Sequence, residues 1–196
     1  MLKKFRVIGV AGSLRHASVN QLFLRSMALI KPESVDFAIY GGLGNLPLFN
    51  PDRENSAGEE VERWRAELAS ADMLLLVSPE YAHGVSGVMK NALDWIVGGG
   101  ELMTTLLAFP NLSLRATHAQ AQLTEMLQIL GCRQSEGCSP QATFEHPLML
   151  PAMDERRLLE DKRTGPELRK LWQNIECALQ SDLAEPPNKS VGGYLW

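Results

Sequence analysis

Cysteine is scarce and unpatterned in this chain of 196 residues: Cys132, Cys138 and Cys177 do not pair evenly and show no CxxC spacing. No disulfide framework is expected, and the thiols are read as the reduced cysteines of a cytoplasmic protein. The four histidines, His16, His83, His118 and His146, are too scattered to suggest a metal site, so no metal is expected. Basic tracts and aromatic-and-basic ladders are missing too, and a net charge of −4 with a pI near 5.6 gives no reason to expect nucleic acid as a partner. No segment approaches the roughly 20 apolar residues needed to cross a bilayer, so no membrane partner is expected. The opening MLKKFRVIGVAGS sets two lysines before an apolar run, as a signal peptide does. That run is short and leads straight into a small-residue turn, which makes it a first strand. The glycine spacing of that turn is neither GxGxxG nor GxxxxGK[ST], so the usual dinucleotide and ATP fingerprints are absent.

What is present is ordinary for a globular protein: 45% hydrophobic and 21% charged residues. That is enough to bury a full core in one domain over 1–196, with an irregular tail from about 183 that holds Tyr194-Leu195-Trp196. Strands are expected at Phe5–Ala11, Val35–Tyr40, Met73–Val77 and Leu102–Phe109, with a fifth somewhere in Cys138–Glu145. Helical spacing of apolar residues predicts helices over about Gln21–Ile30, 57–70, Val88–Val97, Thr117–Leu130 and 166–181, the last opened by Pro166. Pro147 and Pro151 fall in an extended connection, and regularity is weak from 132 to 165. Trp64 lies on the apolar stripe of the second helix and is read as core. The fold class that follows is α/β, a flavodoxin-like three-layer arrangement around a five-stranded parallel sheet of order 2-1-3-4-5. In that order the ligand crevice lies at the carboxyl ends of the first and third strands.

Those two ends carry the chemically unusual turns. Gly12–Asn20 follows the first strand and precedes a helix, the arrangement in which free backbone N–H groups and the helix dipole bind phosphate. Two hydroxyls, an amide and a guanidinium lie within it. Ser18, three residues before Gln21, either caps the helix or binds the phosphate, and both readings place its hydroxyl at the helix mouth. Ser78–Gly87 follows the third strand and is rich in small residues, so main chain can approach a flat ligand closely. A phosphatase would want a nucleophilic cysteine or aspartate in residues 9–20, and a receiver domain would want paired acids after the first strand; neither is there.

GSLRHASVN resembles the GSxRxxSxN phosphate turn of the NADPH-dependent FMN reductase family, and SPEYAHGVSGVMKNALDW resembles that family's second signature. LPLFNPD at 46–52 sits where a third, weaker family element lies, and the likeness covers roughly residues 5–130. The resemblance implies FMN as cofactor, with Ser13, Arg15, Ser18, Val19 and Asn20 around its phosphate. Pro79, Glu80, Tyr81, Ala82 and Gly84 would line the isoalloxazine ring. It further implies NADPH (or NADH) as electron donor, a small-molecule acceptor such as a quinone, azo compound or flavin, and a homodimer or dimer of dimers. Chemistry carried by the flavin leaves no catalytic side chain to be named. The alternatives to the ring-lining role are an ordinary surface carboxylate for Glu80 and a half-buried packing residue for Tyr81, while His83 is read as an exposed loop histidine rather than a proton donor to a quinone. Lys90 and Asp94 stand one helical turn apart and are expected to pair, while Trp95 is either core or a dimer surface. Two departures from the family stand out: Ala82 replaces a frequent asparagine, and Pro110–Arg115 lacks the glycines common there. A flavodoxin-type carrier without NADPH oxidation, or a non-flavin phosphate-binding domain, are the alternatives on the same fold.

Overall fold

In chain order the first elements are β1 (Phe5–Ala11), α1 (Val19–Leu29), β2 (Val35–Tyr40), α2 (Glu59–Ala69), β3 (Met73–Val77), β4 (Glu80–Tyr81), β5 (Gly84–Val85) and α3 (Gly87–Asp94). Then come β6 (Leu106–Ala108), α4 (Thr117–Ile129), β7 (Arg133–Gln134), α5 (Glu155–Glu160) and α6 (Thr164–Ala184). This computed structural model describes residues 4–103, 105–135, 137–140 and 153–184.

Five strands pair in parallel in the order β2-β1-β3-β6-β7, which is 2-1-3-4-5 by position among the sheet strands. The three inner strands β1, β3 and β6 read as near-continuous apolar runs because helices cover both faces of the sheet. Side chains alternate between the two faces. Val7, Met73, Leu75, Val77, Leu106 and Ala108 join one core with α1 and α6. Ile8, Val10, Leu74, Leu76 and Leu107 join the other with α2, α3 and α4. On the first face Trp172 of α6 donates its indole N–H to the Met27 carbonyl at 2.9 Å and meets the Phe37 ring edge-on. On the second, Trp64 is 2% exposed and donates to the Ala92 carbonyl at 2.9 Å, as a core residue should.

Several boundaries differ from the sequence expectation. The fourth sheet strand is only Leu106–Ala108, not Leu102–Phe109. Leu102 is buried, but its carbonyl accepts the Thr105 N–H at 3.0 Å in a turn, so burial there comes without pairing. The fifth strand is Arg133–Gln134 and not within Cys138–Glu145. Gly131, at φ 75°, ends α4, and the chain then pairs at once: the Arg133 and Ser135 N–H groups donate to the Thr105 and Leu107 carbonyls at 2.9 and 3.1 Å. An edge strand with one neighbour needs no apolar run, so its polar residues hid it. Cys138–Pro140 form no strand, and residues 141–145, with Pro147 and Pro151, lie outside the described residues. Helix α3 stops at Asp94 and α6 starts two residues before Pro166 and runs to Ala184. The tail with Tyr194-Leu195-Trp196 falls outside the described residues.

Candidate functional site

β1 delivers the chain to Gly12, whose N–H donates to the Val77 carbonyl of the neighbouring strand at 2.8 Å. A Cβ added at Gly12 would lie 2.6 Å from Ser78 Oγ and 3.0 Å from Ser86 Oγ. Only glycine therefore lets the turn after β1 and the turn after β3 close on one another. Between them opens a cleft of about 380 Å³.

The first wall is Gly12–Asn20. Ser18 is the N-cap of α1, and its Oγ accepts from the Asn20 and Gln21 N–H groups at 3.2 and 3.4 Å. Those two bonds use the hydroxyl's lone pairs and leave its O–H to donate outward, so capping and ligand binding do not compete. Ser13 Oγ accepts from the Arg15 N–H at 3.4 Å, which curls the turn. Asn20 is 2% exposed, and its Nδ2 finds no partner among the described residues. A buried amide donor without an acceptor costs about 1–3 kcal/mol, and this one belongs to the cleft's lining. An anionic oxygen in the cleft would satisfy it.

The second wall begins at Ser78 and Pro79 and continues into a hairpin made by β4 and β5. Its two tip residues, Ala82 and His83, have φ of 50° and 57°. This is the double left-handed geometry of a tight hairpin turn, usually reserved for Asn-Gly. Contacts with α4 hold it there. Glu80 Oε2 accepts the Ala119 N–H of the first turn of α4 at 2.9 Å, filling a cap that Ala116 cannot supply. Gln122 Oε1 accepts the Val85 N–H at 3.1 Å, and the His83 and His118 rings stack with centroids 4.5 Å apart.

Of the residues singled out from sequence, Ser13, Arg15, Ser18, Val19, Asn20, Pro79, Glu80 and Tyr81 converge on the cleft. Ala82 and Gly84 belong to the hairpin tip and are not part of its lining. Glu80 lines the cleft, but one carboxylate oxygen is engaged with α4. Tyr81 is 55% exposed, a rim residue more than a packing one. Ala17, Ser78, Leu112, Ser113, Arg115 and Ala116 complete the lining; the first five lie in segments that the sequence reading named, but none of the six was assigned to the site. The last four follow β6, and the rule that placed the ligand at strand carboxyl ends extends to that strand as well.

The KNALDW helix serves the 46–52 loop. Asn91 Oδ1 accepts the Phe49 N–H at 2.8 Å, while Asn91 Nδ2 and Trp95 Nε1 donate to the Pro47 carbonyl at 3.0 and 2.7 Å. Trp95 is thus core, 1% exposed, and the loop it pins presents Leu48 at 83% exposure. Lys90 and Asp94 pair as the spacing predicted. Burial pushes the Cys132 thiol up to about 12, and burial with the neighbouring Cys177 raises Cys138 to about 11. Both are held as unreactive thiols. Among the described residues no group of three or more His, Cys, Asp or Glu could hold a metal, and no helix is long and apolar enough to cross a membrane.

A family model described as NADPH-dependent FMN reductase matches residues 5–141. The 2-hydroxy-1,4-benzoquinone reductase of a Burkholderia species is 37% identical over 90 residues, 46% of this chain and 49% of that protein. A quinone reductase of Escherichia coli K12 is 33% identical over 98 residues, 49% of this chain and 52% of that protein. The chain therefore spans about half the length of the curated relatives it matches. Among solved structures, the flavoenzyme NAD(P)H:(acceptor) oxidoreductase FerB from Paracoccus denitrificans superposes with a TM-score of 0.75 at 22% identity, over 90% of this chain and 98% of that one.

Proposed function

The chain belongs to the NADPH-dependent FMN reductase family, and from that premise we propose that it is an FMN-dependent NAD(P)H oxidoreductase that reduces a small acceptor such as a quinone, azo compound or flavin. The observation that carries this reading is the buried Asn20 Nδ2, without a partner among the described residues, in the same cleft as Ser78–Tyr81. One wall offers donors for a phosphate; the other offers a flat stretch for a ring.

On this reading the Ser13 and Ser18 hydroxyls, the Arg15 guanidinium and Asn20 Nδ2 hold the FMN phosphate, with the first turn of α1 adding its dipole. Pro79, Glu80 and Tyr81 line the ring, with Ala82 and Gly84 shaping the hairpin that backs it. FMN held there would supply the hydride- and electron-transfer chemistry that no side chain of the cleft offers. The protein's own work is to orient the reactants, exclude water between them and present N–H groups to the polar edge of the ring. Donor and acceptor share one cleft and take turns in it, so ping-pong kinetics are expected. The same reading takes the chain as one FMN-binding domain in a reducing compartment. It pairs two copies through α3 and the 46–52 loop, where Leu48 is exposed.

The test is direct. Purified protein titrated with FMN should show flavin absorbance at one equivalent per chain, and the loaded protein should consume NAD(P)H when a quinone is added. Arg15→Ala should weaken FMN by roughly 10- to 100-fold while changing riboflavin affinity little, because riboflavin lacks the phosphate. A protein that takes up no flavin, or that loses FMN and riboflavin equally in the variant, refutes the assignment. Flavin uptake without NAD(P)H consumption would leave a flavodoxin-type carrier.

A further inference from the structure

A second polar-lined space lies away from the cleft, between α6 and the far edge of the sheet. It is a groove of about 520 Å³ with Arg133 and Ser135 on the strand side and Asn174, Cys177, Ser181 and Asp182 on the helix side. The three- and four-residue spacing of the last four puts them on one face of α6. The groove shares no lining residue with the cleft. It reaches Leu106, the first residue of β6, whereas the cleft takes in Leu112–Ala116 beyond that strand's last residue.

Two features point to a ligand in the groove. Ser135 is 9% exposed, and its Oγ is buried without a partner among the described residues. Such a hydroxyl costs about 1–3 kcal/mol until something bonds it. On the opposite wall stands Cys177, an exposed free thiol. The remaining lining is polar and carries both signs of charge: Asn174 and Ser181 bring an amide and a hydroxyl, and Arg133 pairs with Asp182.

We propose that Cys177 is a site of reversible S-thiolation and that the groove seats the small peptide thiol joined to it. The step is a thiol–disulfide exchange. The Cys177 sulfur attacks one sulfur of the small molecule's disulfide, a new S–S bond forms as the old one breaks, and the departing thiol takes up the proton that Cys177 gives up. A peptide thiol suits this lining because its amides can bond Ser135 Oγ and the Asn174 side chain. Its zwitterionic amino-acid end also meets both charges of the Arg133–Asp182 pair. A neighbouring thiol decides how long the adduct lasts. Asn174 Nδ2 donates to the Gly137 carbonyl at 2.7 Å, which ties the loop carrying Cys138 to α6 one turn before Cys177. Cys138 is fully buried, however, and burial together with the nearby Cys177 holds its thiol at about 11. An enclosed, protonated thiol is a poor nucleophile, so it does not displace the small molecule and close an intrachain disulfide. None of this depends on what fills the cleft.

The experiment equilibrates the whole chain with mixtures of oxidised and reduced glutathione and locates the adduct by peptide mass spectrometry. A single glutathionyl group is expected on Cys177, reversed by excess reduced glutathione and missing from Cys177→Ser. Ser135→Ala should lower the exchange equilibrium constant roughly 3- to 10-fold, with no loss of thermal stability, because it deletes an unpartnered hydroxyl. Hydroxyethyl disulfide, which has neither amide nor amino-acid end, should give a constant roughly 10-fold lower than glutathione. A chain that gains no adduct at Cys177 overturns the proposal, as does a Cys138–Cys177 disulfide formed in its place. Equal constants for the two disulfides, or an unchanged constant in Ser135→Ala, overturn it as well, since Cys177 would then react as an ordinary surface thiol without help from the groove.

Discussion

The two walls of the cleft are built in opposite ways. The Gly12–Asn20 wall is made by its own neighbours in sequence: Ser18 caps the helix it begins, through bonds to residues two and three positions on. The Glu80–Val85 wall is held from a distance. Glu80 reaches the Ala119 N–H, and Gln122 reaches Val85, across 39 and 37 residues respectively. Its tip keeps two non-glycine residues at positive φ, a conformation that costs of order 1–2 kcal/mol per residue. A turn built largely from local bonds would give the proposed phosphate a rigid anchor. A hairpin braced by a helix gives a wall whose position depends on that helix.

The sharpest way to break the comparison is at the point where the walls meet. Gly12→Ala drives a methyl group against Ser78 Oγ and Ser86 Oγ, so it should cost about 1–3 kcal/mol of stability and abolish FMN uptake. Thermal unfolding and flavin titration of the variant check both. Next in size, Glu80→Ala removes the borrowed cap of α4 and should cost about 1 kcal/mol. Hydrogen exchange should quicken at 80–85 and 117–119, while the first turn of α1 keeps its protection; equal quickening in both walls would end the distinction. Ala82→Gly tests the strain from the other side. Glycine relieves the positive φ at some cost in chain entropy, so a net gain of about 0.5–1 kcal/mol in denaturant unfolding is expected.

The smallest effect concerns α1 and its support. Arg25 on α1 bonds Glu155 on α5, and this bond holds the Glu155 carboxyl below its ordinary value. A lowered folded pKa stabilises above the unfolded value of about 4.5 and is lost as pH falls through the folded one. Arg25→Gln should therefore cost less than about 1 kcal/mol at pH 7, since both side chains are partly in water. The difference from wild type should shrink in urea unfolding as the pH is lowered below about 4.5.

Much of this was legible in the chain. Phe5–Ala11 and Met73–Val77 stood where their apolar runs placed them, because strands covered on both faces are largely apolar, and Val35–Tyr40, at the sheet edge, stood where its alternation placed it. Arg133–Gln134 was not legible, because an edge strand is specified by the carbonyls it pairs with and not by its own side chains. The hairpin inside Ser78–Gly87 was hidden for a related reason: Ala82-His83 carries none of the usual turn residues, and only α4 makes it affordable. The Pro110–Arg115 loop was noticed as a glycine-poor departure from the family pattern, but no residue in it was assigned to the site, and the fold brings Leu112, Ser113 and Arg115 into the lining.

By itself, then, the sequence determined the first three sheet strands and the helices between and after them, the small-residue turns after β1 and β3, and the capped start of α1. Each of these depends on alternation, helical spacing or hydrogen bonds spanning a few residues. Tertiary structure alone decided which residues face one another across the cleft. It joined Glu80 to α4, stacked His83 on His118, brought Arg115 into the lining and left Asn20 Nδ2 buried without a partner among the described residues. Those outcomes depend on pairings between segments far apart in the chain, and no local preference encodes them.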